Sequence, residues 1–177
     1  NNKELVKSLS PSNSIVATSS WYSHQRLAHL PLVRIGEDAH RNPLMVKEKR
    51  KNLTIVVLGE TSRGDNFSLS GYSRQTNPLL EKDDVVYFPR TTSCGTATAV
   101  SVPCMFSGMP RAHYDEELAQ HQEGVLDIIQ RAGINVLWND NDGGCKGACD
   151  RVPHQNMTKL NLPGQCIDGE CYDDVLF

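Results

Sequence analysis

Thr96 and Thr98 stand between Cys94 and Cys104 in the stretch TSCGTATAVSVPCM, residues 92–105, where a Gly and Thr-rich turn runs into a segment that reads as a helix. A helix start presents unpaired backbone N–H groups and the positive end of the helix dipole to any anion in front of it. A hydroxyl placed there can attack a phosphorus centre and then carry the phosphoryl group. The same residues also fit a plainer description. Ser and Thr are ordinary N-caps, Pro103 is tolerated in a first helical turn, and a cysteine pair can simply staple a loop.

Upstream, residues 52–58 (NLTIVVL) form a β-branched apolar run that stops at Gly59, Glu60, Thr61 and Ser62. Such a run reads as a strand buried on both faces, and in open α/β sheets ligands collect beyond the carboxyl ends of the strands, where Glu60 falls. An acid there is a frequent metal-ligand position; the alternative is a carboxylate that caps the next helix. The elements that must position these groups alternate. Residues 115–132 (DEELAQHQEGVLDIIQRA) read as helix, with Leu118, Val125, Ile128, Ile129 and Ala132 apolar, open to interruption near Gly124 and ended by Gly133. Residues 134–138 (INVLW) read as the next strand. Strand, helix and strand in that order argue an α/β fold with a largely parallel sheet flanked by helices.

Three stretches, VVLGETSRGDNFSLSGYSRQTNP, TSCGTATAVSVPCMFSGMP and WNDNDGGCKGACDRVPH, closely resemble the lipid A phosphoethanolamine transferases of Gram-negative bacteria, the group that includes the mobile colistin-resistance enzymes. The resemblance covers most of residues 52–177. It implies an alkaline-phosphatase-like (sulfatase-like) fold, with residues 52–177 as the N-terminal portion of a periplasmic catalytic domain, held at the inner membrane by a helical domain outside this chain. It also implies that phosphoethanolamine passes from phosphatidylethanolamine to lipid A phosphates through a phospho-threonine, with polymyxin resistance as the outcome. Glu60 in LGETSRGDN matches the family's zinc-ligating glutamate, and Thr98, the second threonine of CGTAT, matches its nucleophile and a further zinc contact. Lys146 in CKGACD matches a lysine near the substrate phosphate, where it would act as a point charge; an exposed loop lysine is the alternative. Asp140 and Asp142 in the same loop lack the downstream glutamate of an EF-hand.

A threonine hydroxyl is a poor nucleophile at neutral pH, and a Zn2+ ion would lower its pKa. Catalytic zinc takes about four ligands, three of them usually from protein. Glu60 and Thr98 are present, but the family's Asp-His pair has no match before Phe177, so the chain is expected to be an incomplete and inactive piece. The six histidines (His24, His29, His40, His113, His121, His154) read as surface or structural groups.

The six cysteines fall into close pairs, Cys94 with Cys104, Cys145 with Cys149 and Cys166 with Cys171. Nearest-neighbour disulfides suit an exported protein in an oxidising compartment; a structural zinc cluster is the rival, and no pair has its CxxC spacing.

Charge is uneven. Residues 1–51 hold nine Lys or Arg against four acids, a local +5 in a chain of net −3, which suits a basic juxtamembrane linker beside anionic headgroups or a plain solvated connector. The net negative charge argues against nucleic acid. No apolar run approaches the roughly 20 residues that span a bilayer, and no signal peptide begins at Asn1. A monomer is expected. Two other functions fit the same fold: a phosphatase or sulfatase-like hydrolase, and a non-catalytic module that docks a lipid headgroup.

Overall fold

Apolar spacing in residues 115–132 builds two short helices, not one. In a computed structural model that describes residues 12–28, 30–47, 51–59, 61–160, 162–168 and 170–176, α4 (Glu116–Gln120) is followed by a break and then by α5 (Val125–Arg131). Asp115 caps α4 by accepting the Leu118 N–H at 3.0 Å. Gly124 opens α5, where a Cβ would lie 2.7 Å from the Phe106 carbonyl oxygen, so no other residue fits. Asp127 reaches back to accept the Gly124 N–H at 2.7 Å, and Gly133, at φ +86°, ends the run.

The described residues fall into two units, Asn1–Arg41 with Val102–Phe177 and Asn42–Ser101. In the first, β1 (Trp138–Asp140) pairs in parallel with β2 (His154–Asn156), Trp138 opposite His154 and Asp140 opposite Asn156. The expected strand over 134–138 therefore starts late: residues 134–137 have no ladder partner among the described residues, and pairing begins at Trp138. Residues 141–153 make the crossover and carry part of the core, since Cys145, Cys149 and Val152 are buried against Leu126, Val136, Trp138 and Ala148. Phe106 packs edge-on against Trp138, with ring centroids 5.4 Å apart. A hairpin of β3 (Cys166–Ile167) and β4 (Glu170–Cys171) follows.

The N-terminal part of this unit is α1 (Ser12–Ala28), which lies against α4, and then an extended strap. The strap is held by backbone and charge together. Val33 donates to the His121 carbonyl at 2.7 Å and accepts from Glu123 at 2.9 Å. The buried Glu123 carboxylate accepts from Arg131 and from the Ile35 N–H, while Arg131 Nη2 also donates to the carbonyls of Ile35 (2.6 Å) and Gly36 (2.9 Å).

The second unit is mostly turns. It contains α2 (Pro43–Lys47) and the start of α3 (Thr98–Phe106), with Phe67 stacked on Tyr87 at 6.2 Å and Thr76 Oγ1 accepting from Ser68 and donating to Asn66. Residues 52–58, expected to be a buried strand, join no β-ladder among the described residues, with Leu53 84% and Val57 75% exposed. A strand buries both faces only when neighbours satisfy its N–H and C=O groups, and no described strand pairs with this run. Among the described residues no helix is long and apolar enough to cross a membrane.

Candidate active site

Thr98 is the first residue of α3 and is half-buried, while Thr96, two residues earlier in the turn, is exposed. The turn is built to start a helix. Ala97 offers its carbonyl to the N–H groups of Val100 (3.0 Å) and Ser101 (2.9 Å), and Ser93 Oγ donates to the Gly95 carbonyl at 2.7 Å. Gly95 lets the chain fold back on that first turn, since a Cβ there would meet Val100 Cγ1 at 3.1 Å. Val102 and Cys104 are the buried face of α3. Pro103 stands sixth in the helix, beyond the first turn in which its sequence had placed it, so it removes one i to i−4 bond to Ala99. Ser107 closes the other end, donating to the Cys104 carbonyl at 2.9 Å. Cys94 and Cys104 are both disulfide-bonded, and no cysteine is free.

Glu60, the expected metal ligand, lies outside the described residues. Its neighbour Thr61 has φ +44°, a left-handed conformation that costs a β-branched residue on the order of 1 kcal/mol or more. Lys146 has φ +51°, and Asp168 is the third non-glycine residue with positive φ among those described. Strained backbone of this kind concentrates at functional sites, and it falls next to one expected site residue and on another. Sequence reading had no signal for it.

Lys146 belongs to the first unit and Thr98 to the second. The Lys146 loop is internally tied. Asp140 Oδ2 accepts the Gly144 N–H at 2.8 Å, Lys146 Nζ donates to the Gly143 carbonyl at 2.6 Å, and a Cys145–Cys149 disulfide spans a Cα separation of 5.7 Å. Gly143, Gly144 and Gly147 all take positive φ, which explains the glycine density. The Cys166–Cys171 disulfide likewise closes the β3–β4 hairpin.

Behind the loop, Arg151 forks onto Asp127, Nε to Oδ1 at 2.9 Å and Nη2 to Oδ2 at 2.7 Å. Burial pushes the Asp127 carboxyl up, but the Arg151 hydrogen bonds and charge and the Gly124 N–H outweigh it and hold the group below its ordinary value. The same bonds raise the Arg151 guanidinium. The Gly124 to Asp127 spacing is a capping signal in the sequence; the partner 24 residues away is not.

Three candidate metal donors come together at one place among the described residues, Cys145, Cys149 and Asp150, and the two sulfurs are consumed in a disulfide. That cluster does not fit a zinc ion, which cysteine ligates only as a thiolate. No histidine joins it. His154 Nδ1 instead donates to the Val152 carbonyl at 3.0 Å, a structural role. The Thr98 hydroxyl is a hard oxygen donor that suits a divalent cation, but it supplies one of the about four ligands that zinc takes.

Residues 52–177 match the sulfatase family. The chain is 84% identical over all 177 residues to the phosphoethanolamine transferase EptA of Salmonella typhimurium, of which it covers 32%. It is 47% identical over 106 residues, 59% of its length, to the phosphatidylethanolamine transferase Mcr-1 of Escherichia coli, covering 20% of that protein. Among solved structures, the integral membrane lipooligosaccharide phosphoethanolamine transferase A of Neisseria meningitidis superposes with a TM-score of 0.81 at 44% identity, over 99% of this chain and 33% of that one. The chain thus spans about a third of the length of the EptA relative.

Proposed function

This chain belongs to the sulfatase family, and on that premise we propose that it carries the nucleophile of a phosphoethanolamine transferase acting at the periplasmic face of the inner membrane. The donor is phosphatidylethanolamine and the acceptor a phosphate of lipid A. Thr98 Oγ1 attacks the donor phosphorus; the Oγ1–P bond forms, the P–O bond to diacylglycerol breaks, and the threonine proton leaves with the diacylglycerol hydroxyl. An acceptor phosphate hydroxyl oxygen then attacks the phosphorus on Thr98; the new O–P bond forms, the Oγ1–P bond breaks, and the acceptor's proton passes to Oγ1, regenerating Thr98. This is ping-pong chemistry, and the helix start favours the negative charge it passes through.

Glu60 and Thr98 are the residues of this chain that would hold zinc, which when bound would lower the hydroxyl pKa and offset phosphoryl charge. Lys146 sets its ammonium on the substrate phosphate, and the basic residues 1–51 lie as a juxtamembrane linker against anionic headgroups ahead of the catalytic portion, residues 52–177. The working unit is a monomer, and polymyxin resistance is the outcome.

One observation supports the reading above the rest: Thr98 opens α3 half-buried, behind a glycine turn, and the more exposed Thr96 does not. The test uses the intact enzyme with phosphatidylethanolamine and no acceptor. Mass spectrometry should find phosphoethanolamine on Thr98, and adding lipid A should discharge it onto the lipid. Label on another residue would move the nucleophile, and release of free phosphoethanolamine with acceptor present would make the protein a hydrolase.

A further inference from the structure

Three restraints shape the loop that carries Lys146, and all are local. The Asp140 to Gly144 bond, the Lys146 to Gly143 bond and the Cys145–Cys149 disulfide each close a ring of about five residues or fewer. They fix the loop's own conformation. They do not fix where the loop sits on the rest of its unit.

Long-range placement comes from Cys145 and Cys149, buried against Leu126, Val136 and Trp138, and, on the N-terminal side of the loop, from one hydrogen-bonding side chain. Asn141 Nδ2 donates to the Cys171 carbonyl at 2.9 Å and to Asp173 Oδ1 at 3.1 Å, across 30 and 32 residues of sequence. The receiving platform is itself secured, because Cys171 is disulfide-bonded to Cys166 and Tyr172 N–H donates to the Gln165 carbonyl at 2.9 Å. Both amide hydrogens of Asn141 are used while its Oδ1 is buried without a partner. That imbalance defines the requirement. Turned over, the amide would set its oxygen against two oxygens, so the position calls for a two-hydrogen donor of this length.

We infer that Asn141 is a positioning residue, which pins the Lys146 loop to the β3–β4 hairpin so that the Lys146 ammonium is held for the substrate phosphate. This rests on the reading of Lys146 as the phosphate-binding cation. The ammonium rests on the Gly143 carbonyl, and the pinned loop needs only a side-chain rotation to exchange that neutral acceptor for a phosphate oxygen.

The experiment is steady-state kinetics of the intact enzyme with phosphatidylethanolamine vesicles, alongside melting temperatures. Asn141→Asp keeps the shape but sets a carboxylate against Asp173. It should raise KM about tenfold, the scale of a lost hydrogen-bond pair, with kcat within about threefold. Adding Asp173→Asn restores a donor to the pair from the other side, and the double variant should recover part of the KM, since the Cys171 carbonyl still lacks its donor. Asp173→Ala, at an exposed position that folding tolerates, should raise KM about threefold and serves if Asn141→Asp does not fold.

An unchanged KM in Asn141→Asp or Asp173→Ala, or no recovery in the double variant, overturns the inference. So does a fall in melting temperature with KM constant, which would make the bonds merely structural. Lys146→Ala is the separating control. If it raises KM while the Asn141 variants do not, the positioning role fails alone; if it leaves KM unchanged, the reading of Lys146 fails first.

Discussion

Residues 52–58 and the loop 140–149 differ in how each satisfies its backbone. The first is β-branched and apolar, and among the described residues it joins no β-ladder and is largely exposed; the second is polar, glycine-rich and tied at several points. A strand is a contract with neighbours that sequence alone does not identify. A loop that carries its own carboxylate, glycines and disulfide makes much of its bonding within ten residues, with Asn141 reaching out to Cys171 and Asp173. Self-contained chemistry therefore reads out locally, whereas sheet chemistry does not.

Thr98 belongs with the self-contained kind, and the sharpest way to break the comparison is to remove it. Thr98→Ala in the intact enzyme should lower lipid A modification roughly ten-thousandfold with an unchanged melting curve, whereas Thr96→Ala should be milder. The reverse ranking, read by mass spectrometry of lipid A, would give the role to the exposed hydroxyl.

Zinc comes next, because Glu60 and Thr98 are fewer ligands than the ion takes. The 177-residue chain should bind zinc about a thousandfold more weakly than the intact enzyme, since two oxygen ligands leave the ion largely solvated. Equal affinities by calorimetry would mean that no further ligands are needed.

Hydrogen exchange sharpens the same contrast. In this chain the amides of residues 53–58 should exchange at close to the unprotected rate, whereas those of Gly144, Cys149 and Val152, which donate to Asp140, Cys145 and Cys149, should be slowed by at least about a hundredfold. Equal protection would erase the distinction.

The smallest effect concerns the fork behind the loop. Arg151→Ala should cost about 2 kcal/mol in chemical denaturation, because it leaves the mostly buried Asp127 carboxylate with backbone N–H donors only. Asp127 is depressed when folded, so its contribution is present above its unfolded value of about 3.9 and fades as pH falls through that value toward the lower folded one. Wild type should therefore lose stability below about pH 4 more steeply than Asp127→Asn, which has no such charge to protonate.

Much of the helical part was legible because its signals are short-range. The helical start at Asp115, the break at Gly124 and the stop at Gly133 all lie within a turn of what they control, and each cysteine pair is closely spaced. What failed needed distant partners. The strand at 134–138 waited for β2, Arg151 was invisible from Asp127, and Pro103 slipped a turn because the helix began at Thr98. The left-handed backbone at Thr61 and Lys146 had no compositional mark, since neither residue is one that favours it.

The clasp of Glu123 and Arg131 on Ile35 and Gly36 also sets a mechanical scale. A leash that ran free to residue 51 would let whatever it tethers roam farther by the chain between 33 and 51, roughly 60 Å at full extension. On the proposed linker role, grounding at Val33 removes that slack, so the search volume around the anchor point would shrink with the cube of the shortened radius, and the local concentration of anything fixed at the other end would rise in proportion.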